Sequence, residues 1–154
     1  MSEARLTEGR IEEELRTHGV YASNTRGRSM EPLFRTHRDM VIIRPVTGRL
    51  KKYDVPLYRM KDGSYVLHRI IGFFDGGYLI RGDNTFVTER VPESAVVGVL
   101  TEWNRRGKHG TPSDRGYIVY SRLWCFIYPI RFCLHKIRLF LGKIYRFLFK
   151  RKKS

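Results

Sequence analysis

Leu6, Ile11 and Leu15 recur among acidic neighbours near the start of the chain, a spacing that predicts a short amphipathic helix over residues 3–18, stopped by Gly19. Beyond Gly19 the texture changes. Runs rich in Val, Ile, Tyr and Phe at 40–44, 55–59, 65–74, 78–81 and 96–103 are separated by turn formers, and each predicts a β-strand. Pro56 either opens its strand or lies at an edge, because it brings no N–H to a ladder. Asp62-Gly63 and Asp75-Gly76-Gly77 tolerate positive φ, so each predicts a hairpin between antiparallel neighbours. Residues 104–116, rich in Gly, Arg and turn formers, are expected to be a linker. The expected organisation is a helix over 1–19, a mainly β domain over 20–103, the linker, and a helical tail over 117–154.

The tail has its own pattern. Turning 100° per residue gathers Arg131, His135, Lys136, Arg138, Lys143, Arg146 and Lys150 on one arc. The opposite arc collects apolar residues, among them Leu134, Ile137, Leu141 and Ile144. An apolar face opposed by cations alone suits a helix lying in an anionic membrane surface, its rings in the acyl boundary and its Lys and Arg at headgroups. A helix packed on its own domain or on a partner is the plainer alternative. Nucleic acid is disfavoured by the continuous Phe and Leu face, although clustered positive charge also attracts phosphate.

Charge sharpens this division. The 154 residues carry a formal net charge of +15, from 30 Lys and Arg against 15 Asp and Glu. Every acid lies at or before Asp114, so the body is nearly balanced and the tail holds 11 basic side chains with no acid. The acidic first twenty residues have no apolar run, so no secretory signal peptide is expected. The longest uncharged stretch of the tail, 123–130, is too short to span a bilayer. A cytoplasmic or peripheral membrane location is therefore expected. Cys125 and Cys133 are too few for a disulfide framework, and Cys133 with His135 is too little for a zinc site, so neither metal nor cofactor is expected.

Three segments carry candidate chemistry. Gly27-Arg28-Ser29-Met30-Glu31-Pro32 offers a hydroxyl in a glycine-bounded turn stiffened by proline. His68 stands alone in an apolar run, and Arg81-Gly82-Asp83-Asn84 puts a carboxylate in a loosened turn after a strand. A serine becomes a nucleophile only if a base takes its proton and donors hold the developing oxyanion. Taken singly, these residues are more often a turn serine, a packed histidine and a capping aspartate.

Their order is more specific. Ser29-Met30-Glu31-Pro32, then Tyr53-Asp54-Val55, His68-Arg69-Ile70, Gly82-Asp83-Asn84 and Val97-Gly98-Val99 together resemble the signal peptidase and LexA-type serine protease superfamily, over roughly residues 20–103. The resemblance implies a coiled, mostly antiparallel β fold, Ser29 as nucleophile and His68 as base, as in the histidine branch of the signal peptidases. Asp83 is then expected to orient His68, with Gly27, Met30 and Pro32 shaping the nucleophile turn and the Ser29 N–H among the oxyanion donors. Gly27 lacks the hydroxyl that some bacterial members use there. Arg69 is expected to be structural, and Glu89 stands at a further acidic position without assigned chemistry. The expected activity is that of a serine endopeptidase cutting a peptide or leader segment of a protein substrate near the cytoplasmic membrane face. The rivals are a non-catalytic peptide-binding module with the same fold, or an adaptor governed by the tail.

Overall fold

A computed structural model describes the backbone of residues 3–150 and the side chains of residues 10–146. Helix α1 (Glu3–His18) buries Ile11 and Leu15, and Gly19 ends it at a φ of 66°, its N–H returning to the Leu15 carbonyl. Leu6 lies outside the described side chains. Strands β1 (Tyr21–Asn24), β2 (Met40–Arg44), β3 (Pro56–Arg59), β4 (Tyr65–Leu67) and β8 (Val96–Arg105) form the larger sheet in the order β1-β2-β8-β3-β4, and β9 (Lys108–Gly110) pairs with the end of β8. A smaller sheet has the order β5 (Arg69–Phe74), β6 (Gly77–Arg81), β7 (Glu89–Pro92). Every pairing is antiparallel, so the fold is mainly β, flanked by α1, α2 (Arg115–Phe126) and α3 (Tyr128–Lys150).

Both predicted hairpins form, through Asp62-Gly63 between β3 and β4 and through Asp75-Gly76 between β5 and β6. Pro56 opens β3, where its missing N–H costs least, although that strand is central. The run 65–74 is not one strand. It breaks at His68, where the chain leaves the larger sheet, in which β4 pairs with β3, and enters the smaller one, in which β5 pairs with β6.

Two apolar cores follow from the alternation of side chains along the strands. One gathers α1, the segment around Met30 and Phe34, Val41, Leu57 and Trp103; the other gathers Leu50, Tyr58, Ile70, Ile80 and Val91. Leu57 and Tyr58, adjacent in β3, thus serve opposite faces.

The C-terminal third differs from expectation. Residues 104–116 are not a plain linker: β8 runs on to Arg105, and a tight turn with positive φ at Arg106 (53°) and Gly107 (75°) leads into β9. Residues 117–126, expected in the helical tail, pack on the body. Helix α2 docks on the body through buried Tyr117 and Ser121, because its inward side carries hydroxyl and indole groups that the body has charges to receive. No helix among the described residues is long and apolar enough to cross a membrane.

Candidate active site

Ser29 sits on the segment between β1 and β2, whose base is closed by two backbone bonds, Thr25 N–H to the Asp39 carbonyl (2.9 Å) and His37 N–H to the Thr25 carbonyl (2.8 Å). Asp39 is fully buried and accepts from the Arg35 N–H (2.9 Å) and the Arg38 guanidinium (2.7 and 2.9 Å). Met30, Leu33 and Phe34 drive one side of the segment into the core, where Phe34 meets Trp103 edge to face at 5.7 Å. The turn is anchored two residues earlier by Gly27, which takes a φ of 76° and accepts from the Thr36 hydroxyl through its carbonyl. Met30 thus holds the turn from below and Gly27 lets it reverse. Pro32 is exposed and follows a cis peptide bond with Glu31.

His68 occupies the corner between the two sheets and is 6% exposed. Its Nδ1 lies 3.1 Å from the Tyr58 hydroxyl and 3.3 Å from a Glu89 carboxylate oxygen, while the Tyr58 hydroxyl donates to the other Glu89 oxygen at 2.7 Å. With the tyrosine proton committed to Glu89, Nδ1 must be the donor in this triangle, which leaves the lone pair on Nε2. Burial pushes the imidazole below the ordinary histidine value, against the upward pull of Glu89 and, more weakly, of Asp83. His68 is therefore neutral at pH 7, the form a general base requires.

Nε2 faces the serine segment across Gly82. A Cβ placed on Gly82 would lie 2.7 Å from the Ser29 carbonyl oxygen and 2.9 Å from His68 Nε2, so both crowd the same point and only glycine fits between them. Two residues on, Asn84 fastens the two segments together. The Asn84 N–H donates to the Ser29 carbonyl at 2.7 Å, and its side-chain amide donates to the Arg28 carbonyl at 3.2 Å. The Ser29 hydroxyl has no hydrogen-bond partner among the described residues, so its bond to His68 is not preformed. Nor, among those residues, do the Ser29 and Met30 N–H groups donate to a backbone carbonyl.

The place expected for Asp83 beside His68 is taken by Glu89. Both Asp83 oxygens are engaged by Arg69, at 2.8 Å from Nε and 2.8 Å from Nη2, and Tyr120 donates a further bond at 3.0 Å. Arg69 is fully buried and also donates to the Tyr53 carbonyl, the Tyr117 hydroxyl and Ser121 Oγ. Burial works against its charge, but the Asp83 carboxylate outweighs burial and raises its pKa further. The expectation that Arg69 is structural agrees with these contacts. Asp83 joins it as the buried pin between the smaller sheet and α2. Glu89, to which sequence assigned no chemistry, reaches the site because β7 pairs with β6 in a register that sets Glu89 opposite Ile80. A signal was present: Glu89 and Val91 are two apart, so they share a face of β7, and Val91 is core.

The same turn receives the tail. Trp124 Nε1 and Arg131 Nη2 both donate to the Asp83 carbonyl, at 2.8 and 2.9 Å, and the Arg131 guanidinium lies 3.8 Å from the Trp124 ring centroid. His135 stacks on Phe86 at 4.1 Å. Arg131, expected at headgroups, is thus committed to the protein. Lys136, Arg138, Lys143 and Arg146 are exposed, and the side chain of Lys150 lies outside those described.

Among the described residues no cluster of three His, Cys, Asp or Glu side chains could hold a metal ion. No protein-family model matches the chain, and no curated protein matches its sequence.

Proposed function

We propose that this chain is a serine endopeptidase of signal peptidase type, with Ser29 as nucleophile, His68 as general base and Glu89, rather than Asp83, as the group that orients the base. The observation that carries the reading is the convergence of the Ser29 turn and His68 Nε2 on Gly82, with Nδ1 tied to Glu89 and Tyr58 on the far side of the ring. A neutral imidazole held by one nitrogen presents the other as an acceptor.

The chemistry is acyl transfer. His68 Nε2 accepts the Ser29 proton as Oγ bonds to a peptide carbonyl carbon, and the tetrahedral oxyanion forms beside the Ser29 and Met30 N–H groups. The imidazolium, stabilised by Glu89, then gives its proton to the departing amine. Water, deprotonated by the same nitrogen, releases the acyl group and restores the serine. A hydroxyl without a partner in the free protein is compatible with this order, since such bonds commonly tighten only when substrate is bound. The peptide is held extended against a sheet edge; β4, an edge strand, leads directly into His68.

The test is incubation of the purified protein, its Ser29→Ala variant and its His68→Ala variant with a proteome-derived peptide library, read by mass spectrometry. New termini are expected with the wild type alone, while both variants remain folded by circular dichroism. Identical peptide patterns from all three would reject hydrolysis and leave a peptide-binding module.

A further inference from the structure

The contacts of α2 and α3 divide these helices into two sides. The side facing the body is aromatic and polar-tipped, with Tyr117, Tyr120, Trp124 and Arg131 gripping Arg69 and Asp83. The other side is apolar, without polar tips, and points away from the body. On α2 it consists of Val119, Leu123 and Phe126, which are 63%, 54% and 80% exposed. On α3 it continues through Ile130, Leu134, Ile137 and Leu141, each more than half exposed. Steps of three and four residues keep these positions on one stripe, and the backbone bonds Ile127 N–H to Leu123 O and Arg131 N–H to Ile127 O carry the stripe through the junction of the two helices.

We infer that α2 and α3 together form an interfacial docking surface for an anionic membrane, one that begins at Val119 and sets the Gly82–Asn84 turn one helix thickness from the lipid. Charge decides the occupant. Arg122 and Arg138 are exposed and flank the stripe, Lys136 and Lys143 are exposed on the opposite arc, and no acid occurs after Asp114 to repel phosphate. A second copy of the chain is a poor occupant, since two tails of unbroken positive charge would meet with no carboxylate between them. Because the opposite side of the same helices grips the Asp83 carbonyl and carboxylate, lipid on the stripe fixes where the site stands. If the peptidase reading holds, the substrate is a segment close to the headgroups.

The docking claim is tested without activity, on full-length Ser29→Ala protein, by co-sedimentation with phosphatidylcholine vesicles with and without phosphatidylglycerol. Binding is expected to the anionic vesicles only, and added salt should release it. Leu123→Glu and Leu134→Glu alter exposed positions that touch no site residue, and each should weaken binding about tenfold or more. The loss at Leu123 is the distinctive outcome, because it requires α2 as well as α3 to meet the lipid. Equal binding to neutral vesicles would overturn the inference. So would a Leu123→Glu variant that binds as tightly as its parent, or a concentration-dependent dimer that Leu134→Glu dissolves without any vesicle binding. Vesicle binding together with an inert wild type would retain the docking surface and reject the peptidase reading.

Discussion

Replacing Arg69 by Met and Asp83 by Asn, singly and together, tests whether the Gly-Asp-Asn aspartate serves the fold or the imidazole. Arg69 is fully buried and Asp83 is 5% exposed, and two bonds of 2.8 Å join them, so either single change leaves an uncompensated polar or charged group in the interior. Breaking a buried pair of this kind costs about 3–5 kcal/mol. Arg69→Met should lie at the upper end, since it also removes the donors to the Tyr53 carbonyl, Tyr117 and Ser121. For a chain of this size about 1 kcal/mol corresponds to roughly 2–4 °C, so each single variant should melt roughly 6–20 °C lower. The double variant should lose less than the two singles combined, with a coupling energy of about 1–3 kcal/mol. Urea titration at pH 7 gives the stabilities, and peptide turnover measured well below each melting point gives the activity of the folded protein. If Asp83→Asn keeps its stability within about 0.5 kcal/mol yet abolishes turnover, or if the two losses simply add, the structural assignment of Asp83 fails.

The other two changes bear on the proposed proton path. Glu89→Gln keeps the size of the side chain but removes the charge beside Nδ1, and it should cut turnover by about 100-fold or more while the protein stays folded. The wild-type rate should rise with pH through a midpoint below the ordinary histidine value of about 6.5, because burial lowers the His68 pKa. In Glu89→Gln that midpoint should move lower still, since the carboxylate pulls the other way; an upward shift would refute the assignment. The same buried neutral ring adds stability that is complete above about pH 6.5 and is lost as pH falls through its depressed folded value. Gly82→Ala forces a Cβ to within 2.7 Å of the Ser29 carbonyl, so the serine turn or the ring must shift, and turnover should fall about 100-fold. A fully active Gly82→Ala enzyme would show that the two segments need not meet there.

Much of the body was legible because its strands are short, alternating and bounded by glycine turns, and the Ser29 turn, His68 and the Gly-Asp-Asn turn could each be read locally. Partnership could not. Asp83 and Glu89 are both carboxylates following the same strand, and the choice between them depends on the registers of β6 and β7 and on a buried arginine next to the base. The break at His68 was hidden because the apolar residues on its two sides, Tyr65–Leu67 and Ile70–Phe74, read as one strand with a polar pair in it. Helix α2 misled for a related reason. It was grouped with the cationic tail, yet its aromatic side, Tyr117, Tyr120 and Trp124, packs on the body, because a surface holding Arg69 and Asp83 needs hydroxyl and indole partners more than methyl groups.

The corner at His68 has a mechanical consequence. Ser29 belongs to a connection within the larger sheet, Glu89 to a strand of the smaller one, and the imidazole to the crossing between them. The three groups therefore ride on two sheets and the crossing between them, and under the proposed mechanism a relative slip of about 1 Å would misalign the proton relay at a cost of about a hundredfold in rate while leaving each sheet's own ladder intact. Turnover by the proposed mechanism would thus report cohesion between the two sheets, and gentle warming or dilute denaturant should silence it before the protein's spectrum changes.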